Sequence, residues 1–166
     1  MSIFGAEVSE TCILIFDEEV TKDAALDQLV DAVSRTGAVT DREALRTAVQ
    51  AREDMSSTGI GNGLAIPHVR VDAISEPVVG VGISPAGIDY HAADDRPVHL
   101  VVLFAMPSGS GSLYLRLLAQ AMLALKSPDF RRRLVACNTP EQAVAILNGT
   151  EELDAAGAAK PEDRRT

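Results

Sequence analysis

The segment 98–106 (VHLVVLFAM) restricts the fold of this chain more than any other part of the sequence. It is apolar apart from His99, and it is too short to cross a bilayer as a helix. A continuous apolar run of this kind is typical of a strand that is buried on both faces. The sequence therefore predicts that residues 98–106 form a central strand of a sheet.

Strand-like and helical segments alternate along the rest of the chain. Further strands are predicted over residues 12–16 and 78–83. Helices are predicted after Thr21, after Thr40 with Glu43 completing a capping box, over 113–126, and from Pro128 and Pro140. The inward face of the helix over 113–126 is predicted to hold Leu117, Leu118, Ala121, Met122 and Leu125. The alternation predicts an α/β fold, with a single domain whose mixed β-sheet is flanked by helices.

Composition narrows the possible partners and the cellular compartment. The 166 residues carry a formal charge of −9, which disfavours nucleic acids and anionic membranes as partners. The N-terminal MSIFGAEVSE does not resemble a secretory leader, and Cys12 and Cys137 form no CxxC pair. These features predict a cytoplasmic protein without membrane insertion. We expect a folded domain over residues 1–150 and a flexible tail over 151–166, where no core face is found.

A glycine-rich segment, 56–68 (SSTGIGNGLAIPH), breaks this regular pattern. Glycine permits positive φ and close backbone approach, so successive N–H groups can converge on an anion. The segment is not a P-loop, because Leu64 follows Gly63, and it is not a dinucleotide fingerprint, because it follows a helix. A phosphoryl-binding loop and a purely structural turn both remain open from the residues alone.

His68 ends this segment, directly after the rigid Pro67. An imidazole titrates near neutrality and can form a covalent intermediate, so His68 beside a glycine-rich loop is a candidate nucleophile for a phosphoryl group. The alternative is an ordinary hydrogen-bonded histidine. His91 is predicted to be exposed and His99 to lie at a sheet edge, and no paired spacing indicates a metal site. Asp94 and Asp95 are interpreted as turn residues.

The stretch 52–68 (REDMSSTGIGNGLAIPH) resembles the active-site signature of the bacterial phosphotransferase-system enzyme IIA proteins. The resemblance is to the fructose/mannitol class, which includes the nitrogen-regulatory members. It extends through Arg96-Pro97-Val98 and Pro107 to the helix start at Thr139-Pro140-Glu141. The resemblance thus covers nearly all of the patterned chain and implies the same α/β fold.

The resemblance also implies a mechanism. His68 would accept a phosphoryl group on Nε2 from the histidine-containing phosphocarrier protein and pass it to a cysteine of an enzyme IIB domain. Arg52 would lie near the phosphoryl oxygens, and no cofactor or metal is implied. The expected phosphoryl-binding residues are Ser57, Thr58, Gly59, Gly61, Gly63 and Tyr114.

Tyr114 is a departure from the family pattern, because many members carry a second histidine at this place. A phenol keeps a hydrogen-bonding group there but does not titrate near neutrality. The departure favours an alternative function, a nitrogen-regulatory-type binding module whose phosphorylation state controls a target protein. An apolar docking rim around the site is predicted from Leu64, Ile66, Met106 and Leu113.

Overall fold

Helices and strands alternate along the chain, as the hydrophobic patterning predicts. The computed structural model describes Phe4 and residues 8–149, so the predicted tail over 151–166 lies outside the described residues. A 3-10 turn at Glu10–Cys12 precedes the regular elements. In chain order the elements are β1 (Ile13–Ile15), α1 (Lys22–Ser34), α2 (Arg42–Met55), β2 (Gly59–Gly61), β3 (Leu64–Ala65), β4 (His68–Val71), β5 (Val78–Ile88), β6 (Val98–Pro107), α3 (Gly111–Leu125), α4 (Pro128–Val135) and α5 (Pro140–Leu147).

The strand β6 lies inside a mixed sheet, which confirms the prediction for residues 98–106. One edge of β6 pairs antiparallel with β5, and β1 follows in parallel beyond it. The other edge of β6 pairs in parallel with two short strands placed end to end. The first is β3, which pairs with Leu100 and Val101, and the second is β4, which pairs with residues 104–107. Finally, β2 pairs antiparallel with β3.

The core lies on both faces of β6. From Leu100 to Met106 its side chains are at most 1% exposed. The helix α1 packs on β5, and α2 packs on β4. Phe4 packs against Phe104, with ring centroids 5.7 Å apart. Burial on both faces explains why this strand shows no polar alternation.

Two sequence predictions of local structure, the cap of α2 and the end of β5, need correction. The cap of α2 is Asp41, whose side chain accepts from the Ala44 N–H at 3.1 Å, whereas the Thr40 hydroxyl donates to the Ala73 carbonyl. The strand predicted to stop at residue 83 continues to Ile88, because a register shift lets Ile88 pair with Val98.

On α3 the predicted inward face is confirmed for Leu117, Ala121 and Leu125, and Leu118 is half-buried. Met122 is 37% exposed, because it lies one residue beyond the buried row.

Candidate active site

The glycine-rich segment folds into a hairpin of β2 and β3. Gly61 pairs with Leu64, so Asn62 and Gly63 form a two-residue turn, with φ values of 59° and 75°. Positive φ at both turn positions is typical of a type I′ turn, and Asn-Gly is the preferred sequence for it. Asp94 holds the turn from outside, because its carboxylate accepts from the Asn62 N–H at 3.0 Å. The backbone N–H groups of Asn62 and Arg96 lower the pKa of Asp94.

The tip of this hairpin is distant from His68. The Gly63 carbonyl accepts from the N–H groups of His99 and Leu100, whereas His68 pairs with Phe104. Leu100 and Phe104 are four positions apart on β6, which corresponds to about 13 Å along the strand. The glycines at the tip therefore form the turn, about 13 Å along β6 from the position of His68.

Gly59 also has a structural role. A Cβ atom at Gly59 would lie 2.8 Å from the Cβ of Ala92, so the glycine is needed for close packing. These placements give Gly59, Gly61 and Gly63 structural roles in the hairpin, and the phosphoryl contacts expected of them stay predictions. Sequence reasoning could not separate the two roles, because a positive-φ turn and an anion-binding loop both require glycine.

The residues before the hairpin connect it to α2, which packs on β4. The Ile66 N–H donates to the Thr58 carbonyl at 3.0 Å, so this segment runs beside the residues that lead to His68. The Ser56 carbonyl accepts from Nη1 of Arg52 at 3.0 Å. The half-buried Arg52 lies in the last turn of α2, and its positive charge acts on Tyr114.

His68 begins β4 and is half-buried. Its Nδ1 lies 2.8 Å from the carbonyl oxygen of Ile66. A carbonyl can only accept, so Nδ1 carries the proton, and Nε2 has the free lone pair. The backbone next to His68 is also held in place, because the carbonyl of the preceding residue, Pro67, accepts from the Phe104 N–H at 2.9 Å. The backbone therefore selects which nitrogen of His68 can act as a nucleophile.

Tyr114 lies on α3 next to this ring. The ring centroids of His68 and Tyr114 are 6.2 Å apart, and Cζ of Arg70 lies 4.8 Å from the Tyr114 centroid. Burial raises the pKa of Tyr114, and this effect outweighs the opposite influence of Arg70 and Arg52. The phenol consequently stays protonated at neutral pH. Arg70 was not singled out from the sequence, although strand alternation after Pro67 would have placed it on the face of His68.

Thr58 takes part in a buried network around Glu53. Its hydroxyl donates to Oε1 of Glu53 at 2.6 Å and its N–H donates to Oε2 at 2.8 Å. Lys22 forms an ion pair with Oε2 at 2.8 Å, and the Tyr90 hydroxyl lies 3.4 Å from Oε1. Thr58 is 3% exposed, so it has a structural role in this network, and the phosphoryl contact expected of it stays a prediction.

Electrostatics keep Glu53 ionised despite its burial. Burial alone would raise its pKa, but the hydrogen bonds from Lys22 and Thr58 together lower it. Burial raises the pKa of Tyr90, so this phenol remains neutral beside the carboxylate. The Ser57 hydroxyl donates to the Tyr90 carbonyl at 3.1 Å, which ties the segment after α2 to the same network. No sequence pattern pointed to Glu53, because Lys22 and Tyr90 are far from it along the chain.

The predicted apolar rim is also different in the structure. Leu64, Ile66 and Met106 are each at most 3% exposed and so cannot contact a partner. Exposed apolar side chains are found instead at Met55, which is 79% exposed at the end of α2, and at Leu115, which is 64% exposed. Leu115 directly follows Tyr114, so the exposed apolar surface begins next to the His68 site.

The other histidines lie elsewhere. His91 is exposed, as predicted. The Nδ1 atom of His99 lies 2.9 Å from the Ser84 carbonyl, beside the hairpin tip. Within residues 8–149 and at Phe4, no group of three or more His, Cys, Asp or Glu side chains could hold a metal ion.

The family model of the phosphoenolpyruvate-dependent sugar phosphotransferase system, EIIA 2, matches residues 8–149. The chain belongs to this family. Its members include both sugar-specific and nitrogen-regulatory IIA proteins, and this chain is similar to proteins of both kinds.

Among the relatives of this IIA protein, the fructose-specific EIIABC component of Bacillus subtilis is 32% identical over 79% of the chain. The chain spans only 21% of that larger protein. The fructose-specific EIIA component of Haloferax volcanii is 33% identical, with 81% of this chain and 88% of the relative covered. The nitrogen regulatory protein of Pseudomonas aeruginosa is also 33% identical, with 76% and 82% covered.

Solved IIA structures share the fold. Nitrogen regulatory protein IIA-Ntr of Neisseria meningitidis superposes with a TM-score of 0.78 at 24% identity, covering 89% of this chain and 100% of that one. The mannitol IIA of Escherichia coli, solved in complex with phosphorylated IIB, gives 0.72 at 20% identity, covering 86% and 98%. The predicted mixed α/β fold is thereby confirmed.

Proposed function

We propose that this IIA protein is a phosphocarrier whose phosphoryl group is carried on Nε2 of His68. The donor is the histidine-containing phosphocarrier protein, and the acceptor is a cysteine of an enzyme IIB domain. The supporting observation is the hydrogen bond between Nδ1 of His68 and the Ile66 carbonyl at 2.8 Å, which leaves Nε2 as the nucleophilic nitrogen. Tyr114 lies beside the ring, and Arg52, whose charge acts on Tyr114, is the candidate donor to the phosphoryl oxygens.

The first step is an in-line substitution at phosphorus. The Nε2 lone pair of His68 forms the N–P bond, and the bond from phosphorus to the donor nitrogen breaks, its electron pair returning to the donor imidazole. The proton stays on Nδ1, because the hydrogen bond to the Ile66 carbonyl holds it there. The phosphorylated ring therefore carries a positive charge.

The second step reverses this arrangement. A cysteine thiolate of the acceptor attacks phosphorus, the Nε2–P bond breaks, and its electron pair returns to Nε2. Because the ring is cationic in the phosphorylated form, it leaves as neutral imidazole. Guanidinium groups beside the ring stabilise the charge on the phosphoryl oxygens in both steps.

The partner proteins are proposed to dock on the exposed apolar side chains next to the site. Leu115 and Met55 lie on the two helices that supply Tyr114 and Arg52. A small apolar surface of this kind suits transient complexes. No helix among the described residues has the length and apolar character that spanning a bilayer requires. We propose that the protein works in the cytoplasm, where both of its proposed partners act.

Phosphorylation in a purified system tests the proposal. The chain is incubated with phosphoenolpyruvate, enzyme I and the phosphocarrier protein, and intact mass is measured. We expect one acid-labile phosphoryl group on the wild type and none on His68→Ala. His91→Asn is the matched control, because it removes an exposed histidine and asparagine tolerates its φ of 58°. An unmodified wild type, or phosphorylation of His68→Ala, would contradict the assignment.

A second candidate function is a regulatory module in which phosphorylation of His68 controls binding to a target protein. Tyr114 favours it, because a neutral phenol beside His68 adds no positive charge to the onward transfer. Nitrogen-regulatory and fructose-specific relatives are equally similar, at 33% identity each. Transfer from the phosphorylated chain to an enzyme IIB cysteine separates the two functions. Rapid transfer supports the sugar-system carrier, and a stable phosphoprotein supports the regulator.

A further inference from the structure

Arg70 lies beside His68 without a role in the proposal above. Both residues belong to β4 and are separated by one position, so their side chains leave the same face of the strand, with Cα atoms about 6.6 Å apart. The Arg70 side chain is exposed. Its guanidinium stacks on Tyr114, with Cζ 4.8 Å from the ring centroid, and the same ring lies 6.2 Å from the His68 ring.

We propose that Arg70 is a second guanidinium that binds the phosphoryl group on His68, and that the Tyr114 ring holds it in position. The inference rests on the proposed phosphorylation of His68. A guanidinium that stacks on an aromatic ring uses its planar face, so the N–H donors on its edge stay free for oxygen atoms. A long side chain starting two residues from His68 can bring that edge to the phosphoryl oxygens.

The phosphoryl oxygens call for more N–H donors than Arg52 supplies. A phosphoryl group carries nearly two negative charges at pH 7, and the cationic ring of phosphorylated His68 offers its oxygens no N–H donor. Arg52 uses Nη1 on the Ser56 carbonyl, so part of its donor set is already occupied. Arg70 and Arg52 both act to lower the pKa of Tyr114, which places both positive charges within electrostatic reach of the ring beside His68. A second guanidinium therefore adds the N–H donors that Arg52 has already committed.

Arg70 takes no part in bond making. The N–P bond still forms at Nε2, and the guanidinium keeps all of its protons. Its N–H groups donate to the phosphoryl oxygens, on which charge is concentrated during transfer. Tyr114 is a positioning residue, because it acts through Arg70.

A small-molecule donor tests this without partner proteins. The full chain is incubated with phosphoramidate, from which the phosphoryl group moves to His68 while the P–N bond of the donor breaks and ammonia leaves. Rates are followed by intact mass for wild type, Arg70→Met, Arg70→Lys and Tyr114→Leu. The control is Arg116→Met, which removes the same charge from an exposed position of α3. Thermal unfolding confirms that each variant is folded.

We expect Arg70→Met to slow phosphorylation about tenfold or more, as the loss of a charge-assisted hydrogen bond predicts. Arg70→Lys keeps the charge without the planar fork and should recover part of the rate. Tyr114→Leu should slow the wild type but add little to Arg70→Met, because the two residues act as one unit. Arg116→Met should stay within about twofold, since an exposed charge on the surface of α3 is screened by salt.

The phosphoryl pKa, titrated by 31P NMR, gives an independent reading. Loss of a bound cation raises it in Arg70→Met, whereas a structural change alone leaves it unmoved. Equal rates and equal phosphoryl pKa values for the Arg70→Met and Arg116→Met proteins overturn the inference. So does full additivity of Arg70→Met and Tyr114→Leu. A wild type that gains no phosphoryl group on His68 refutes the proposed function itself, and the inference with it.

Discussion

Replacing Glu53 by glutamine tests how much the buried network beneath the site contributes to stability. The amide can keep the shape of the network if its oxygen faces the Lys22 ammonium and the Thr58 N–H and its NH2 faces the Thr58 hydroxyl. Only the charge is then lost. A hydrogen bond to a charged group contributes about 1.5–3 kcal/mol, so we expect Glu53→Gln to lower the free energy of unfolding by that amount.

Glu53→Ala should cost more, about 3–5 kcal/mol, because it leaves Lys22 and the Thr58 N–H without their acceptor in a buried place. The side chains of Lys22 and Glu53 are 16% and 2% exposed, so solvent compensates little. Asp54→Asn is the matched control, since Asp54 is the next residue, is exposed, and accepts only from Gln50 at 2.9 Å. Its effect should stay within about 0.5 kcal/mol.

Urea unfolding at several pH values measures both the size and the sign. The pKa of Glu53 is lower in the folded chain than its usual 4.5, so the ion pair stabilises the fold fully above that value. The contribution is lost as the pH falls through the folded pKa. The difference between wild type and Glu53→Gln should therefore be largest near pH 7 and shrink in acid. Equal stability of Glu53→Gln and Asp54→Asn at pH 7 would refute the reasoning.

Other variants test single features of the fold and the site. Gly63→Ala should lower the free energy of unfolding by about 1 kcal/mol or more in urea melts, because alanine is strained at φ 75°. Asp41→Ala should cost about 1 kcal/mol by loss of the α2 cap. An Asp41→Ala variant as stable as the wild type would contradict Asp41 as the cap. Leu115→Asp should slow phosphoryl transfer from the phosphocarrier protein while leaving phosphoramidate labelling unchanged, which would place Leu115 in the docking surface.

Much of the fold could be predicted because burial leaves a clear periodic signal. The run 98–106 is apolar since both faces of β6 are covered, and the buried row of α3 follows helical spacing at Leu117, Ala121 and Leu125. Predictions failed where two structures share one pattern. Met122 continues the apolar row in the sequence, but it is exposed, because the face of a helix that meets the core is narrower than its apolar face.

The candidate site was predicted in part, for a related reason. His68 and Arg52 carry recognisable chemistry in the signature. In the structure, Arg52 lies in the last turn of α2 and His68 begins β4. No role was predicted for Glu53, because its ion-pair partner, Lys22, is brought near only by tertiary folding. Arg70 was missed because its contact with Tyr114 depends on how α3 packs beside β4, which tertiary folding alone determines.

The hydrogen bond from His68 to the Ile66 carbonyl joins residues only two positions apart. One short segment thus determines which ring nitrogen is reactive, so neither partner needs to shift the proton between the ring nitrogens. In the proposed mechanism, both partners approach the same nitrogen of the same half-buried ring, so they compete for one place and alternate on it. That mechanism predicts kinetics of the ping-pong type, in which fast departure of each partner is as necessary for turnover as recognition.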